Sequence, residues 1–78
     1  MLLQGVCDMF FIEDGKITLV DFKSDRIAPG GETARAETYR SQLVCYARAL
    51  ERIFRLPVAE KLVWFFETGR YVSLGGTV

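Results

Sequence analysis

Histidine is absent from the sequence, which removes the side chain most often used as a general base or metal ligand near neutral pH. Cysteine is scarce. Cys7 and Cys45 lack the short spacing of metal-binding pairs, and both lie in apolar surroundings. They read as two buried free thiols in a reducing cytoplasm. Neither sign of charge is in excess, with 10 Lys and Arg against 10 Asp and Glu. Such a balance gives no global field to recruit a polyanion or an acidic membrane, so any such contact must be local. No apolar run approaches the roughly 18 residues of a membrane span, and Met1-Leu2-Leu3 is too short for a signal peptide. The expected setting is cytoplasmic, with no membrane. What is present is a chain of 78 residues, 50% hydrophobic and 13% aromatic, rich enough to exclude disorder. Residues 1–78 are expected to form a single small domain, near the size at which one core is marginally sufficient.

The chain is organised around Val20-Asp21-Phe22-Lys23-Ser24, taken together with Gly5-Val6-Cys7-Asp8. Between them lies Glu13-Asp14-Gly15-Lys16, and Asp-Gly between apolar runs is a strong signal for a two-residue β-hairpin turn. With Asp14 and Gly15 as the loop, Glu13 faces Lys16, and pairing outward from there sets Asp8 opposite Asp21. Side chains alternate along a strand, so both carboxylates and Lys23 share one face. Like charges placed opposite each other on a sheet are unfavourable. At roughly 5 Å and an effective dielectric of about 20, the repulsion is on the order of 3 kcal/mol. A divalent cation is the simplest group to offset it.

Leu3 to Ile12 and Ile17 to Lys23 are apolar on both faces, as in strands of a sheet covered on both sides. Ser24 to Glu32 is loop by its Pro29-Gly30-Gly31 punctuation, with Arg26 expected beside the carboxylates. One long helix is expected from roughly Ala34 to Phe54, with Thr33 as its N-cap. Its core stripe is Tyr39, Leu43, Tyr46, Ala47, Leu50 and Phe54. Arg48, Arg52 and Arg55 lie opposite, and Pro57 ends the helix. Ala59 to Glu67 reads as a buried strand with Trp64 in the core, and Tyr71 to Leu74 as a last short strand. The fold class is therefore α/β (α+β) in the order β-β-α-β-β. One helix covers only one face of such a sheet, so a covering element is missing.

Gly-x-x-Asp on one strand, Asp-x-Lys on its hairpin partner and Gln42-x-x-x-Tyr46 on the following helix make an uncommon combination. In these pieces the sequence resembles the PD-(D/E)xK nuclease domain at the C-terminus of bacterial helicase–nucleases of the RecB and AddA type. The tail Val63-Trp64-Phe65-Phe66-Glu67-Thr68-Gly69 resembles the closing strand of such proteins. The resemblance implies a restriction-endonuclease-like core with a central mixed sheet, lacking the family's first helix and strand. It also implies that Asp8 and Asp21, with the carbonyl of Phe22, ligate Mg²⁺ or Mn²⁺. Lys23 would then touch the attacking water or the scissile phosphate, and Gln42 and Tyr46 would hold phosphate or a water of the metal's shell. The implied reaction is hydrolysis of DNA phosphodiester bonds. The implied partners are DNA and either a helicase region or a partner subunit.

Read without the resemblance, each residue has a plainer role. Asp8 and Asp21 are strand-end carboxylates in water or paired with Arg26. Gln42 is a helix-surface amide, Tyr46 is core packing, and the three arginines are a solvated face complementing the helix C-terminus. The rival to a nuclease is a non-catalytic α/β remnant or interaction module with an incomplete metal site. A homodimer covering the exposed sheet face is a further solution to the missing layer.

Overall fold

A computed structural model describes residues 8–76 of the chain. The readings that fall on Leu3 to Cys7, including the Gly5-Val6-Cys7 piece and the Cys7 thiol, lie outside the described residues. The elements are β1 (Met9–Glu13), β2 (Lys16–Lys23), α1 (Glu32–Glu37), α2 (Arg40–Phe54), β3 (Val58–Phe65) and β4 (Arg70–Ser73). They form one four-stranded mixed sheet in the order β1-β2-β3-β4, with two helices. β1 and β2 are antiparallel, β2 and β3 parallel, and β3 and β4 antiparallel. The helices supply the crossover that a parallel pair requires.

The hairpin has the expected loop and register. Asp14 and Gly15 both adopt positive φ, 52° and 72°, the signature of a type I′ turn whose twist matches its flanking strands. Glu13 pairs with Lys16, and the ladder runs outward to Met9 opposite Val20. A Cβ at Gly15 would meet nothing within 4 Å, so only the backbone resists substitution there. Gly15→Val should therefore cost about 1–2 kcal/mol, the penalty of placing an L side chain in the left-handed region. A shift in urea midpoint with an unchanged slope checks this.

Alternation puts Ile17, Leu19, Asp21 and Lys23 on the helix side of β2. Ile17 and Leu19 pack there with Leu43, Ala47 and Leu50 of α2, Ala36 of α1, Val58, Val63 and Phe65 of β3, and Leu74. Strict alternation along β3 would not bury both Val58 and Val63. A bulge resolves this: Ile17 pairs with Val58, but Thr18 pairs with Glu60, skipping Ala59. The extra residue reverses the facing of everything after it. Lys61 is thereby turned inward and is 1% exposed, its Nζ donating to the Gly76 carbonyl at 2.9 Å. Desolvation, with Arg40 adding to it, pushes this ammonium below its ordinary value.

The expected single helix is two. The hydroxyl of Thr38 donates to the Arg35 carbonyl at 2.6 Å, and its N–H reaches the same oxygen at 3.1 Å. The Tyr39 N–H bonds to Ala36 at 2.9 Å, also three residues back. These tight turns end α1, and α2 restarts when Leu43 N–H bonds to the Tyr39 carbonyl at 3.0 Å. Threonine competes for backbone carbonyls in this way and is a weak helix former. Nor is Thr33 the N-cap. Gly31 holds that position without a side-chain cap, because a turn joining Gly31 N–H to the Ala28 carbonyl at 2.9 Å starts the helix at Glu32. Cys45 is exposed rather than buried, since it lies off the Leu43–Ala47–Leu50 stripe.

The other face of the sheet carries Met9 and Phe11, then Val20 and Phe22, then Leu62 and Trp64, then Tyr71, by the register of the four strands. Neither helix covers it. Trp64 is consequently half-buried on this side, not in the core, and stacks on Tyr71, with centroids 5.8 Å apart and planes at 11°. Phe22 stacks on Phe66 in the same manner at 5.3 Å. Phe66 and Tyr71 remain 61% and 57% exposed. The sequence expectation of a sheet with one uncovered apolar face matches these described residues.

Candidate active site

Asp8 immediately precedes β1, and its Oδ2 accepts a hydrogen bond of 2.7 Å from the Phe22 N–H. The carboxylate thus continues the β1–β2 ladder one step past the end of the strand. This holds Asp8 beside Asp21, as the turn chemistry implies. Asp21 is only 5% exposed, and its neighbour along the same face is Lys23, whose Nζ stands 2.9 Å from Asp21 Oδ2. The ammonium is the group that faces this buried oxygen, and no other donor reaches it among the described residues.

Burial pushes the Asp21 carboxyl above the usual aspartate range, and Asp8 pushes the same way; Lys23 opposes both without cancelling them. For Lys23 itself, burial pulls the ammonium down, but Asp21 outweighs it and the net displacement is upward, with Tyr39 and Tyr46 contributing. From sequence, repulsion between the two aspartates is the leading cost. In the structure burial comes first, and the direct charge repulsion from Asp8 is the least of the influences on Asp21. Arg26 is not among the charges acting on Asp21, and the cation facing the loop carboxylate Asp25 is Arg35, 3.7 Å away.

The N-terminal half of α2 faces this end of the hairpin. Gln42 Oε1 lies 3.5 Å from Lys23 Nζ. Tyr46, one turn on, is half-buried against the core and near enough for its phenol to act on Lys23. Asp8, Asp21, Lys23 and Gln42 therefore converge, although they come from three separate stretches of chain, while Tyr46 packs against the core one turn beyond Gln42. Two further participants, Tyr39 and Asp25, are not singled out by the sequence reading. The Tyr39 ring lies under the Lys23 ammonium, 4.2 Å from centroid to Nζ, and its hydroxyl donates to Asp25 Oδ2 at 2.5 Å. Periodicity places Tyr39 in the core stripe. Its position three residues before Gln42 and seven before Tyr46 is the available signal, because those steps share one helix face.

The donors that face one another here are hard oxygens: two carboxylates and, beside them, the Phe22 backbone. Mg²⁺ and Mn²⁺ suit such donors, and Mg²⁺ commonly takes only one or two protein carboxylates while retaining waters. The buried Asp21 oxygen, faced by the Lys23 ammonium alone, fits that role. Among the described residues no group of three His, Cys, Asp or Glu side chains is gathered to hold a metal, so the set stands at two carboxylates. No helix among them is long and apolar enough to cross a membrane.

No protein-family model matches the chain. It is similar to a segment of the ATP-dependent helicase/nuclease subunits of several bacteria. Identity is 45% over 69 residues with the protein of Desulforudis audaxviator, covering 88% of this chain. It is 46% over 73 residues with that of Acetivibrio thermocellus, covering 94%, and 42% over 81 residues with that of Bacillus cereus, covering 95%. In each case the chain spans 6% of the relative's length. This bears out the coarser part of the resemblance, a likeness to bacterial helicase/nucleases.

Proposed function

We propose that this chain carries the catalytic centre of a metal-dependent DNA nuclease, acting within a helicase–nuclease of recombinational repair. The observation that supports it most is the buried Asp21 carboxylate beside Asp8 and paired with Lys23, with Gln42 reaching the same ammonium. In this reading the domain has a PD-(D/E)xK, restriction-endonuclease-like core, and Asp8, Asp21 and the Phe22 carbonyl hold Mg²⁺ or Mn²⁺. When bound, such an ion polarises a phosphoryl oxygen and acidifies water. Lys23 places a positive charge where negative charge develops on the phosphate, the kind of preorganised donor whose removal costs about 10²–10³ in rate. Gln42 and Tyr46 orient phosphate or water from the helix side. DNA is the substrate, the domain works beside a helicase region or a partner subunit, and the setting is cytoplasmic. The relatives are named as subunits of a larger enzyme, which supports such a partner.

A second reading has its own observation. Only two carboxylates gather among the described residues, which favours a site completed by another element or a module that keeps the fold without the chemistry. The separating experiment incubates linear DNA and Mg²⁺ or Mn²⁺ with the chain, Asp21→Ala and Lys23→Ala. Cleavage by the unmodified chain, lost in both variants, is the expected result. Cleavage that persists in both would mean contamination and sink the assignment. Saturable Mn²⁺ binding without cleavage, abolished by Asp21→Ala, would establish the second reading.

A further inference from the structure

We infer that Tyr39, held by Asp25, is the positioning residue for the Lys23 ammonium. The inference rests on the nuclease reading and deepens it by naming what keeps the lysine in place when the metal is bound. Among the described residues, Lys23 Nζ lies against Asp21 Oδ2 at 2.9 Å, Gln42 Oε1 at 3.5 Å and the face of the Tyr39 ring at 4.2 Å. The first of these is also the oxygen a divalent cation needs. A metal on Asp21 competes with the ammonium for the carboxylate and repels it, so Asp21 alone cannot fix Lys23 in the loaded site. An aromatic face attracts a cation through its quadrupole without a formal negative charge. The ring therefore holds the lysine without drawing the metal away from the carboxylates.

The ring is itself fixed at both ends. Its backbone is the N-cap of α2, at the tight junction with α1. Its hydroxyl donates to Asp25 Oδ2 at 2.5 Å, and Arg35 of α1 stands 3.7 Å from the same oxygen. A phenol that donates to a carboxylate is richer in ring electron density, which strengthens its hold on a cation. Asp25 also keeps the phenol above its ordinary range, so the hydroxyl stays a donor. Tyr39, at the junction of α1 and α2, keeps the α2 face it shares with Gln42, packs against the core and lies under Lys23.

A merely structural Tyr39 would affect stability and leave the lysine's surroundings unchanged, and NMR separates the two. In the 78-residue chain, the Lys23 ε-methylene protons should be displaced upfield by the ring current, both without Mg²⁺ and at saturating Mg²⁺. The displacement should vanish in Tyr39→Leu, persist in Tyr39→Phe without Mg²⁺, and weaken in Tyr39→Phe and Asp25→Asn once Mg²⁺ is added. Lys23 protons at their unstructured positions in the folded, Mg²⁺-saturated chain would overturn the inference. In cleavage assays Tyr39→Leu should lower kcat by on the order of 10- to 100-fold, the scale of a small misplacement of a reacting group. KM should barely change, and Tyr39→Trp should restore part of the rate. An active chain whose kcat is unmoved by Tyr39→Leu overturns the positioning role alone. A chain that neither cleaves DNA nor shifts with Mg²⁺ overturns the nuclease reading and this inference with it. A chain that binds Mg²⁺ without cleaving is decided by the Lys23 protons.

Discussion

Asp21→Asn should stabilise the metal-free chain while removing its affinity for Mn²⁺, two effects of opposite sign from one atom's replacement. Asp21 is buried, and both desolvation and Asp8 disfavour its charge more than Lys23 favours it. A carboxyl whose folded-state value lies above 3.8 contributes fully to stability below 3.8. That contribution is lost as pH rises through the folded value, because ionisation is then harder in the fold than in the unfolded chain. With divalent ions chelated, the unmodified chain should lose stability across that window. Asp21→Asn should lack this decline and show the higher denaturation midpoint at neutral pH. Its Mn²⁺ affinity should fall by more than the roughly 10- to 100-fold that follows loss of an outer-shell partner. Urea titrations from acid to neutral pH, paired with calorimetric Mn²⁺ titrations, read both effects. A midpoint that falls in Asp21→Asn at neutral pH would mean that the pair with Lys23 outweighs burial and Asp8. The same side chain would then be a structural ion pair and not a poised ligand.

The hairpin is readable because its information is local. Asp14-Gly15 specifies the turn, the turn specifies the register, and the register brings Asp8 to Asp21. The uncovered face follows from counting elements against apolar strands, and Phe22, Phe66, Trp64 and Tyr71 bear that out. The misreadings share a different cause. The break at Thr38 depends on where a hydroxyl finds a carbonyl, and periodicity alone runs straight through it. The β3 bulge lies opposite Ile17 and Thr18, in a parallel pairing that no short stretch encodes. Trp64 reads as core because apolar identity does not say which face is covered. Tyr39 carries both lessons. Its spacing fits both a core stripe and the helix face of Gln42 and Tyr46, and the fold places the ring against the core and under a lysine at once.

Leu43→Ala is expected to bring the chain close to its unfolding threshold. Leu43 is fully buried where α2 meets the sheet. Truncation there costs about 2–5 kcal/mol, depending on how far the cavity collapses, while a single core of this size rarely supplies more than about 3–5 kcal/mol. Leu43→Met conserves volume and should cost under about 1.5 kcal/mol; since alanine is the stronger helix former, the larger cost of Leu43→Ala reports lost packing. The consequence reaches the site because Tyr39, Gln42 and Tyr46 come from α2 and its N-cap, while the hairpin supplies Asp21 and Lys23. Detaching the helix removes Lys23's partners outside the hairpin and exposes Asp21 to water. If Asp8 and Asp21 bind Mn²⁺ only in the folded arrangement, ion at about 100 times its Kd restores roughly 2.7 kcal/mol by mass action. Mn²⁺ should therefore raise the thermal midpoint of Leu43→Ala, as followed by circular dichroism, and leave the midpoint of Leu43→Ala combined with Asp21→Asn where it stands without the ion. Rescue of the first protein and not of the second would show that the ion acts through Asp21 and that the fold is what assembles its ligands. Equal rescue of both would place the ion elsewhere on the chain. That outcome would leave the convergence around Asp21 without the chemistry proposed for it.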